Sequence, residues 1–327
     1  MLLSRVFSFD YFEKYLYTDD FIIVASYSNV ERSKRLSELL PTARVVTIEY
    51  SISKSKQGTL DDQFMIKTIN YESLLSRVYY SLYQDLYSFV EQLNKESKRI
   101  VIDISGIHLR FLGALLAILP EFSWESFFCA YTEPKMYPRV TGLPDNQITP
   151  GIVGSFDLNT SFWGYDEIPN LKTVSSSRNN FVWIAFLGFE GKRASAVYSE
   201  ISGDSSIMIP VITMPPIRPG WSNLAFDANQ ILFENANVSA ADIQYTDALN
   251  PFSAYNLIES IQSDNSKKHI VISPLGTRPV SLGALLYAVT HEEVEIYFDT
   301  PKQSSGKAVG CGKTHFYDIL TVVSLNK

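Results

Sequence analysis

The sequence predicts an α/β protein built from two tandem domains with mainly parallel sheets, related by internal duplication. The chain has 327 residues, and its strongest internal match aligns residues 100–116 with residues 270–286, which lie 170 positions further on. Nine of these seventeen positions are identical, and both segments end in Leu-Gly-Ala-Leu-Leu. A second match follows each copy, between residues 130–135 and 297–302. A strand, glycine turn and helix that occur twice at a fixed spacing indicate two similar α/β domains.

Apolar periodicity predicts the elements of the first half in chain order. The continuous apolar run 21–25 is typical of a strand buried on both faces, and it resembles the run 181–185 of the second half. Apolar residues at helical spacing indicate the helices. The predicted order is strand 21–26, helix 29–40, strand 43–50, polar loop 51–66, helix 72–95, strand 98–105, helix 107–119 and strand 127–132.

The second half repeats this alternation after a connecting segment, 136–180, that is rich in Pro, Gly, Asn and Ser. Strands that alternate with helices favour a mainly parallel, Rossmann-like sheet with right-handed crossovers. We therefore predict Rossmann-like domains over 1–135 and 181–327. The predicted elements are strand 181–187, helix 192–201, strand 207–213, helix 223–235, helix 251–261, strand 269–273, helix 279–290, strand 294–298 and a terminal strand or helix 316–323.

The predicted helix 72–95 carries an apolar stripe that is rich in tyrosine, including Tyr83 and Tyr87. Such a stripe faces either a core or a dimer interface. Tyrosine is favoured on surfaces that a partner buries while the hydroxyl stays wet. We expect Tyr83 and Tyr87 to contact another chain or the other half.

Composition excludes several classes of protein. The net charge of −7 argues against a broad basic surface for nucleic acid. Two cysteines, Cys129 and Cys311, provide neither a disulfide framework nor a zinc site, and four histidines lack metal-ligand spacing. The longest apolar stretch, 107–122, is too short for a bilayer, and the N-terminus lacks a signal-peptide core. We expect a cytoplasmic protein with no membrane partner and no cofactor.

In an open parallel sheet, ligands bind beyond the carboxyl ends of the strands. In the second half, cationic side chains, glycine turns and helix N-termini follow these ends, which suits an anionic ligand. The alternative is that these are ordinary polar loops. The candidate ligand-binding residues are Gly188, Glu190, Lys192, Arg193, Arg218, Gly276, Thr277 and Arg278.

The turn Ser273–Pro279 is the strongest single element of this candidate site. Gly276 permits close approach of a backbone, Thr277 can hydrogen-bond an oxygen, and Arg278 can clamp it bidentately. Pro279 suits the first turn of the following helix. The alternative interpretation is a well-made strand-to-helix turn without a ligand.

The first half is degenerate by comparison. Its corresponding turn, Ser105–Arg110, keeps the glycine and loses the threonine. Asp103 is the one carboxylate within a strand that has a buried pattern. It is either an acid that pairs with a turn, which we favour, or a general base or ligand to a hydroxyl. The segment Gly310–Thr314 resembles the end of a P-loop, but position 307 is Lys where the motif requires Gly, so we reject that motif.

The turn Gly276–Pro279 resembles the signature turn of CRISPR-associated Rossmann-fold (CARF) sensor domains. That family has an apolar strand, then Thr-Gly-Gly-Thr-Lys-Pro, then a helix. Gly276, Thr277 and Pro279 match, Arg278 replaces the lysine, and Pro274-Leu275 depart from the pattern. The resemblance implies binding of a cyclic or linear oligonucleotide messenger, usually between two such domains, within a prokaryotic antiviral defence system.

These observations predict a non-enzymatic sensor or accessory subunit that binds a phosphate-bearing, nucleotide-type ligand and acts on a protein partner or as a homodimer. One alternative is an enzyme that acts on a nucleotide or nucleic-acid phosphate through the same loops. No nucleophile, base or metal cluster in the sequence marks such an enzyme. The other alternative is a structural scaffold subunit with decayed sites.

Overall fold

The computed structural model describes residues 5–27, 31–54, 60–68, 79–82, 84–137, 159–166, 168, 171, 180–201, 206–303 and 308–324. These residues form two compact units. The N-terminal unit comprises the described parts of Arg5–Met136, Ile168–Leu171 and Ala308–Lys327, and the C-terminal unit those of Tyr137–Glu167 and Lys172–Lys307.

The strands are β1 (Val6–Ser8), β2 (Ile22–Ser26), β3 (Arg44–Lys54), β4 (Leu60–Thr68), β5 (Tyr79–Ser81), β6 (Arg99–Asp103), β7 (Ser126–Met136), β8 (Asn159–Asp166), β9 (Phe181–Phe186), β10 (Ile207–Thr213), β11 (Gln244–Thr246), β12 (His269–Pro274), β13 (Val294–Ile296), β14 (Phe298–Gln303) and β15 (Val309–Asp318). The helices are α1 (Phe9–Tyr11), α2 (Arg32–Leu39), α3 (Leu86–Glu96), α4 (Leu109–Ile118), α5 (Gly191–Ile201), α6 (Trp221–Ala228), α7 (Gln230–Asn235), α8 (Pro251–Asp264), α9 (Arg278–Thr290) and α10 (Leu320–Val323), with a π-helical segment at Phe12–Leu16 and a 3-10 turn at Leu119–Glu121.

The α/β class and the mainly parallel sheets are confirmed. The N-terminal unit holds an eight-stranded sheet of order β1-β15-β7-β6-β2-β3-β4-β5, whose central strands β7, β6, β2 and β3 are parallel. The C-terminal unit holds an all-parallel sheet of order β11-β10-β9-β12-β13. The strands β8 and β14 form a separate antiparallel pair.

The parallel strands of the two sheets correspond in order and in register. Four parallel strands of each sheet can be compared: β2, β3, β6 and β7 in the N-terminal sheet, and β9, β10, β12 and β13 in the C-terminal sheet. In chain order, the second of the four lies at one side of the first, and the third and fourth follow on the other side: β3-β2-β6-β7 and β10-β9-β12-β13. The repeated segments therefore place β6 and β12 at the same position of each sheet. The matching cross-strand pairs are Ile22–Ile100 with Val182–Ile270, Ile100–Phe127 with Ile270–Val294, and Ile22–Arg44 with Val182–Ile207.

The C-terminal segment differs from the prediction, which assigned residues 181–327 to one domain. Strand β15 pairs antiparallel with β7 and β1 of the N-terminal unit. Phe316 of β15 stacks on Phe12 at 3.9 Å between ring centroids, and both rings are fully buried. Burial of this apolar face joins β15 to the first sheet. Residues 310–314 lie in this strand, in agreement with the rejection of a P-loop.

Two predicted segments of the first half are wrong. Residues 51–54 continue β3 and 60–68 form β4, in a ladder that runs from Val46–Thr68 to Lys54–Leu60, so this stretch is not a loop. A polar sequence suits an edge ladder because one face of an antiparallel sheet can meet water.

The predicted helix 72–95 begins only at Leu86, because Tyr79–Ser81 pair with β4. Asp85 turns the chain there, since its carboxylate accepts a hydrogen bond from the Ser81 N–H at 2.7 Å. Tyr83 and residues 69–78 lie outside the described residues. Tyr87 is half exposed, and its ring packs 5.1 Å from that of Phe122. The predicted interface remains a prediction.

No helix in the described part of the chain has both the length and the apolarity that crossing a membrane requires.

Candidate functional site

The predicted site lies at the topological switch point of the C-terminal sheet. Strand β9 connects to β10 on one side, and β12 pairs with its other side. The loop 187–190 after β9 therefore lies beside the loop 275–277 after β12. The two loops lead into α5 and α9, so two helix N-termini meet at this edge. In open parallel sheets, ligands bind in the crevice at this point.

The backbones of the two loops approach closely. A Cβ atom at Gly188 would lie 3.0 Å from the Leu275 carbonyl oxygen and 3.7 Å from the Gly276 Cα. A Cβ atom at Gly276 would meet its nearest neighbours at 3.6 Å, which is ordinary contact. Internal packing therefore restricts residue 188 and leaves room for a methyl group at residue 276.

The start of α5 is fixed by a buried asparagine. Asn229 is 1% exposed, and its Nδ2 donates hydrogen bonds to the carbonyl oxygens of Gly188 at 2.9 Å and Ala225 at 2.7 Å. A Cβ at Gly191 would lie 1.6 Å from the Ala228 carbonyl oxygen. These contacts hold the first turn of α5 against the end of α6. Asn229 was not among the predicted site residues, because nothing in the sequence separates it from other loop asparagines.

Three of the predicted ligand contacts are engaged within the protein. Arg193 Nη1 lies 3.2 Å from Glu190 Oε2, and the two side chains are only 11% and 15% exposed. Glu190 thereby balances the charge of Arg193. The Thr277 hydroxyl donates to the Ala248 carbonyl oxygen at 2.8 Å. Thr277 thus holds the loop that precedes α8.

The remaining cations occupy the first turns and loops of the same edge. Lys192 is exposed on the first turn of α5, and Arg278 is half-buried at the first position of α9, before the buried Pro279. Arg218 is half-buried in the loop after β10, on the other side of β9 from β12. The topology therefore brings Lys192 and Arg278 to adjacent loops and places Arg218 one strand away.

An aromatic cluster outside the predicted site residues borders this site. Tyr137, Phe189 and Trp221 are partly buried. Their ring centroids are 5.7 Å apart for Tyr137–Phe189, 5.3 Å for Tyr137–Trp221 and 5.5 Å for Phe189–Trp221. Phe189 follows β9, and Trp221 begins α6 after β10. An aromatic residue in the loop or first helical turn that follows each of two adjacent parallel strands is the signal that could have revealed it.

In the N-terminal unit, Asp103 ends β6 and is 1% exposed. Its Oδ1 accepts a hydrogen bond from the Ser105 N–H at 2.9 Å, which is the turn pairing that the sequence analysis favoured. Its Oδ2 is buried and has no hydrogen-bond partner within the described part of the chain. Burial raises the pKa of Asp103 to about 6, against the opposing effects of Ser105 and Arg32.

Two histidines outside these sites are held by carboxylates. His315 Nε2 lies 2.6 Å from Glu133 Oε1, and His269 Nε2 lies 2.9 Å from Glu295 Oε1. Within the described residues, no three side chains of His, Cys, Asp or Glu are grouped so as to hold a metal ion.

No protein-family model matches this chain. No curated protein matches it either.

Proposed function

We propose that this chain binds a phosphate-bearing, nucleotide-type ligand at the carboxyl edge of the C-terminal sheet and acts as a sensor or accessory subunit. The observation that carries the proposal is the placement of Arg278 and Pro279 in the first turn of α9, directly after the buried strand β12 at the switch point. A helix N-terminus at such a point presents N–H groups and partial positive charge to a phosphate.

The residues of the edge divide into ligand contacts and supports. Arg278 and Lys192 supply charge from adjacent helix starts. A guanidinium has five N–H donors, so Arg278 can hold a phosphate beside contacts made within the protein. Internal packing does not require a glycine at Gly276, which is the position from which a backbone N–H would approach the ligand. Glu190, Arg193 and Thr277 hold the loops, and Arg218 approaches from the neighbouring loop.

The aromatic cluster supplies a surface for the base. Every nucleobase has a π-face, and stacking on an aromatic ring contributes about 1–3 kcal/mol per base. Phe189 lies between β9 and the first turn of α5, where a phosphate would also bind. A ligand with both an anionic and an aromatic part therefore suits this edge better than inorganic phosphate does.

The correspondence between the two sheets supports the parts of the proposal that concern the kind of ligand and the role of the protein. Shared strand order and register over three strand pairs are expected of an internal duplication. The resemblance of Gly276–Pro279 to the turn of CARF sensor domains then favours an oligonucleotide messenger as ligand and a role in prokaryotic antiviral defence. It also favours an effector that is another protein.

Native mass spectrometry of the purified full chain tests the proposal, because a bound nucleotide would add its mass to the protein. Calorimetry with the ligand so identified then compares the protein with Arg278→Ala. The matched control is Lys267→Ala, which removes one positive charge from an exposed turn before β12, at the opposite edge of the sheet.

We expect Arg278→Ala to lower affinity about tenfold to a hundredfold, as loss of a charge-assisted contact of about 1.5–3 kcal/mol implies. Lys267→Ala should leave affinity unchanged, and both variants should melt close to the parent protein. Unchanged binding by Arg278→Ala together with a lower melting temperature would contradict the proposal, because Arg278 would then be a structural residue.

A further inference from the structure

We propose a second binding site, in the N-terminal unit, where Arg32, Ser33 and Asp103 bind a neutral hydroxylated group such as the cis-diol of a ribose. The site rests on observations separate from those behind the proposed function. It lies in the half whose turn after β6 keeps the glycine and loses the threonine.

The site occupies the switch point of the N-terminal sheet. Strand β2 pairs with β3 on one side and with β6 on the other, in the order that β9 has in the C-terminal sheet. Arg32 and Ser33 are the first two residues of α2, the eight-residue helix after β2. Asp103 ends β6. It lies on the same face as Val101, which packs in the core with Leu36 of α2.

Among the residues that the structure describes, three polar side chains of this site each have a buried atom without a hydrogen-bond partner: Arg32 Nε, Ser33 Oγ and Asp103 Oδ2. The exposed fractions of these residues are 7%, 4% and 1%. A buried polar group without a partner costs about 1–3 kcal/mol, and more when it is charged. Three such atoms around one switch point indicate a site that a ligand completes.

Internal hydrogen bonds hold these groups in position. Arg32 Nη1 donates to the Thr132 carbonyl oxygen at 3.1 Å, and the Thr132 N–H donates to Ser105 Oγ at 2.9 Å. The Ser105 N–H donates to Asp103 Oδ1 at 2.9 Å. The chain of contacts runs from Arg32 to Asp103 and does not use Arg32 Nε or Asp103 Oδ2. The site is therefore ordered before a ligand binds.

The corresponding position of the C-terminal unit shows what an internally satisfied site looks like. Residue 273 aligns with residue 103 in the repeat. Ser273 accepts a hydrogen bond from Trp183 Nε1 at 2.9 Å and donates to the Tyr297 carbonyl oxygen at 3.0 Å. The fold can therefore hold a residue at this position whose polar side chain makes all its hydrogen bonds within the protein, and Asp103 differs from Ser273 in this respect.

The charges of the site select a neutral ligand group. A phosphate would be repelled by Asp103, and an ammonium group would be repelled by Arg32. A hydroxyl both donates and accepts, so it can donate to Asp103 Oδ2 and accept from Arg32 Nε. A second hydroxyl on the neighbouring carbon can pair with Ser33. A ribose cis-diol provides this pair.

The ligand would enter from the rim of the site at Ser26 and Gly106, which are both partly buried. A Cβ at Gly106 would lie 1.9 Å from Ser33 Oγ and 3.3 Å from the Ser26 Cβ. The three residues therefore lie in close contact at the rim. In this proposal the hydroxyls reach the buried atoms and the remainder of the ligand stays outside.

Ligand-observed NMR titrations of the full chain with adenosine and with 2′,3′-dideoxyadenosine test this site. The variants are Asp103→Asn, which keeps the shape of the side chain, and Ser33→Ala. The matched control is Ser37→Ala on the same helix, where the hydroxyl bonds the Lys34 carbonyl oxygen. The variant Arg278→Ala shows whether any binding of adenosine occurs instead at the site of the C-terminal unit.

We expect adenosine to bind the parent protein. The dideoxy analogue should bind the parent about tenfold or more weakly, and adenosine should bind both site variants about tenfold or more weakly. Ser37→Ala and Arg278→Ala should keep the parent affinity for adenosine, so the proposed function can fail while this site stands. Equal binding of the two nucleosides, absence of binding by both, or loss of binding only in Arg278→Ala would overturn the proposal. If Asp103→Asn has a clearly lower melting temperature than the parent protein, the result for Ser33→Ala alone tests the proposal.

Discussion

The indole N–H of Trp183 donates a hydrogen bond to the hydroxyl of Ser273 at 2.9 Å, and both residues are buried. This contact joins β9 to β12 at the centre of the C-terminal sheet. The same hydroxyl donates to the Tyr297 carbonyl oxygen that follows β13. The Ser273 side chain therefore connects three adjacent strands of the sheet, β9, β12 and the end of β13.

Ser273→Ala should destabilise the protein by about 1–3 kcal/mol, because it leaves the Trp183 N–H buried without an acceptor. Urea unfolding followed by tryptophan fluorescence measures the change. Ser266→Ala, in the exposed turn before β12, is the matched control and should stay within about 0.5 kcal/mol of the parent. Equal stabilities of the two variants would show that the indole contact contributes nothing.

Gly283→Ala should be destabilising even though alanine favours helices. A Cβ at Gly283 in α9 would lie 2.1 Å from the Pro251 carbonyl oxygen and 2.9 Å from the Ala254 Cβ, so α8 would have to move. Such overpacking costs about 1–3 kcal/mol, against a gain of about 1 kcal/mol in propensity. Thermal unfolding measures the result.

Gly276→Ala is the control, since its Cβ meets neighbours only at 3.6 Å. It should fold as the parent does and weaken ligand binding at the C-terminal edge. A stable Gly283→Ala variant would contradict the close packing of α8 and α9.

Asp103 should make stability fall as pH rises from about 4 to about 6. Its pKa in the folded protein is about 6, above the ordinary 3.8, so the folded state binds more protons within this window. The free energy of unfolding therefore decreases with pH there and becomes constant above it. The decrease is on the order of 1 kcal/mol per pH unit.

Urea unfolding at pH 4, 5, 6 and 7 tests this dependence against Asp103→Asn, which cannot titrate. The stability of the variant relative to the parent should increase across the window. A difference between the two proteins that stays constant with pH would show that Asp103 titrates alike in the folded and unfolded states.

Tyr87→Ser should weaken self-association if the predicted tyrosine surface is an interface between chains. Tyr87 is 48% exposed and is supported by the ring of Phe122. Sedimentation velocity over a range of concentrations measures the effect, with Tyr245→Ser, at 55% exposure in β11, as the matched control. A parent protein that sediments as a monomer at all concentrations would count against an interface with a second copy.

Local patterns were sufficient for the parallel strands and for most of their helices. Strand β10 was predicted at both of its ends, and β2, β6, β9 and β12 within about two residues, because a strand buried on both faces needs a continuous apolar run. The match between 100–116 and 270–286 also identified the two strands that occupy corresponding sheet positions. The sequence alone thus determined the fold class and the edge at which its parallel strands end.

Long-range contacts decided the remainder. No local pattern places β15 beside β7, because that pairing depends on the packing of Phe316 against Phe12, far away in the chain. At the site, the hydrogen bond from Thr277 to the Ala248 carbonyl oxygen in a separate loop decides that Thr277 is engaged within the protein. The burial of Asp103, Arg32 and Ser33 depends in the same way on contacts among β6, α2 and β7, which are separate in sequence. Hydrogen bonding and burial between segments distant in sequence are properties of the tertiary structure, and they distinguish a ligand contact from a structural one.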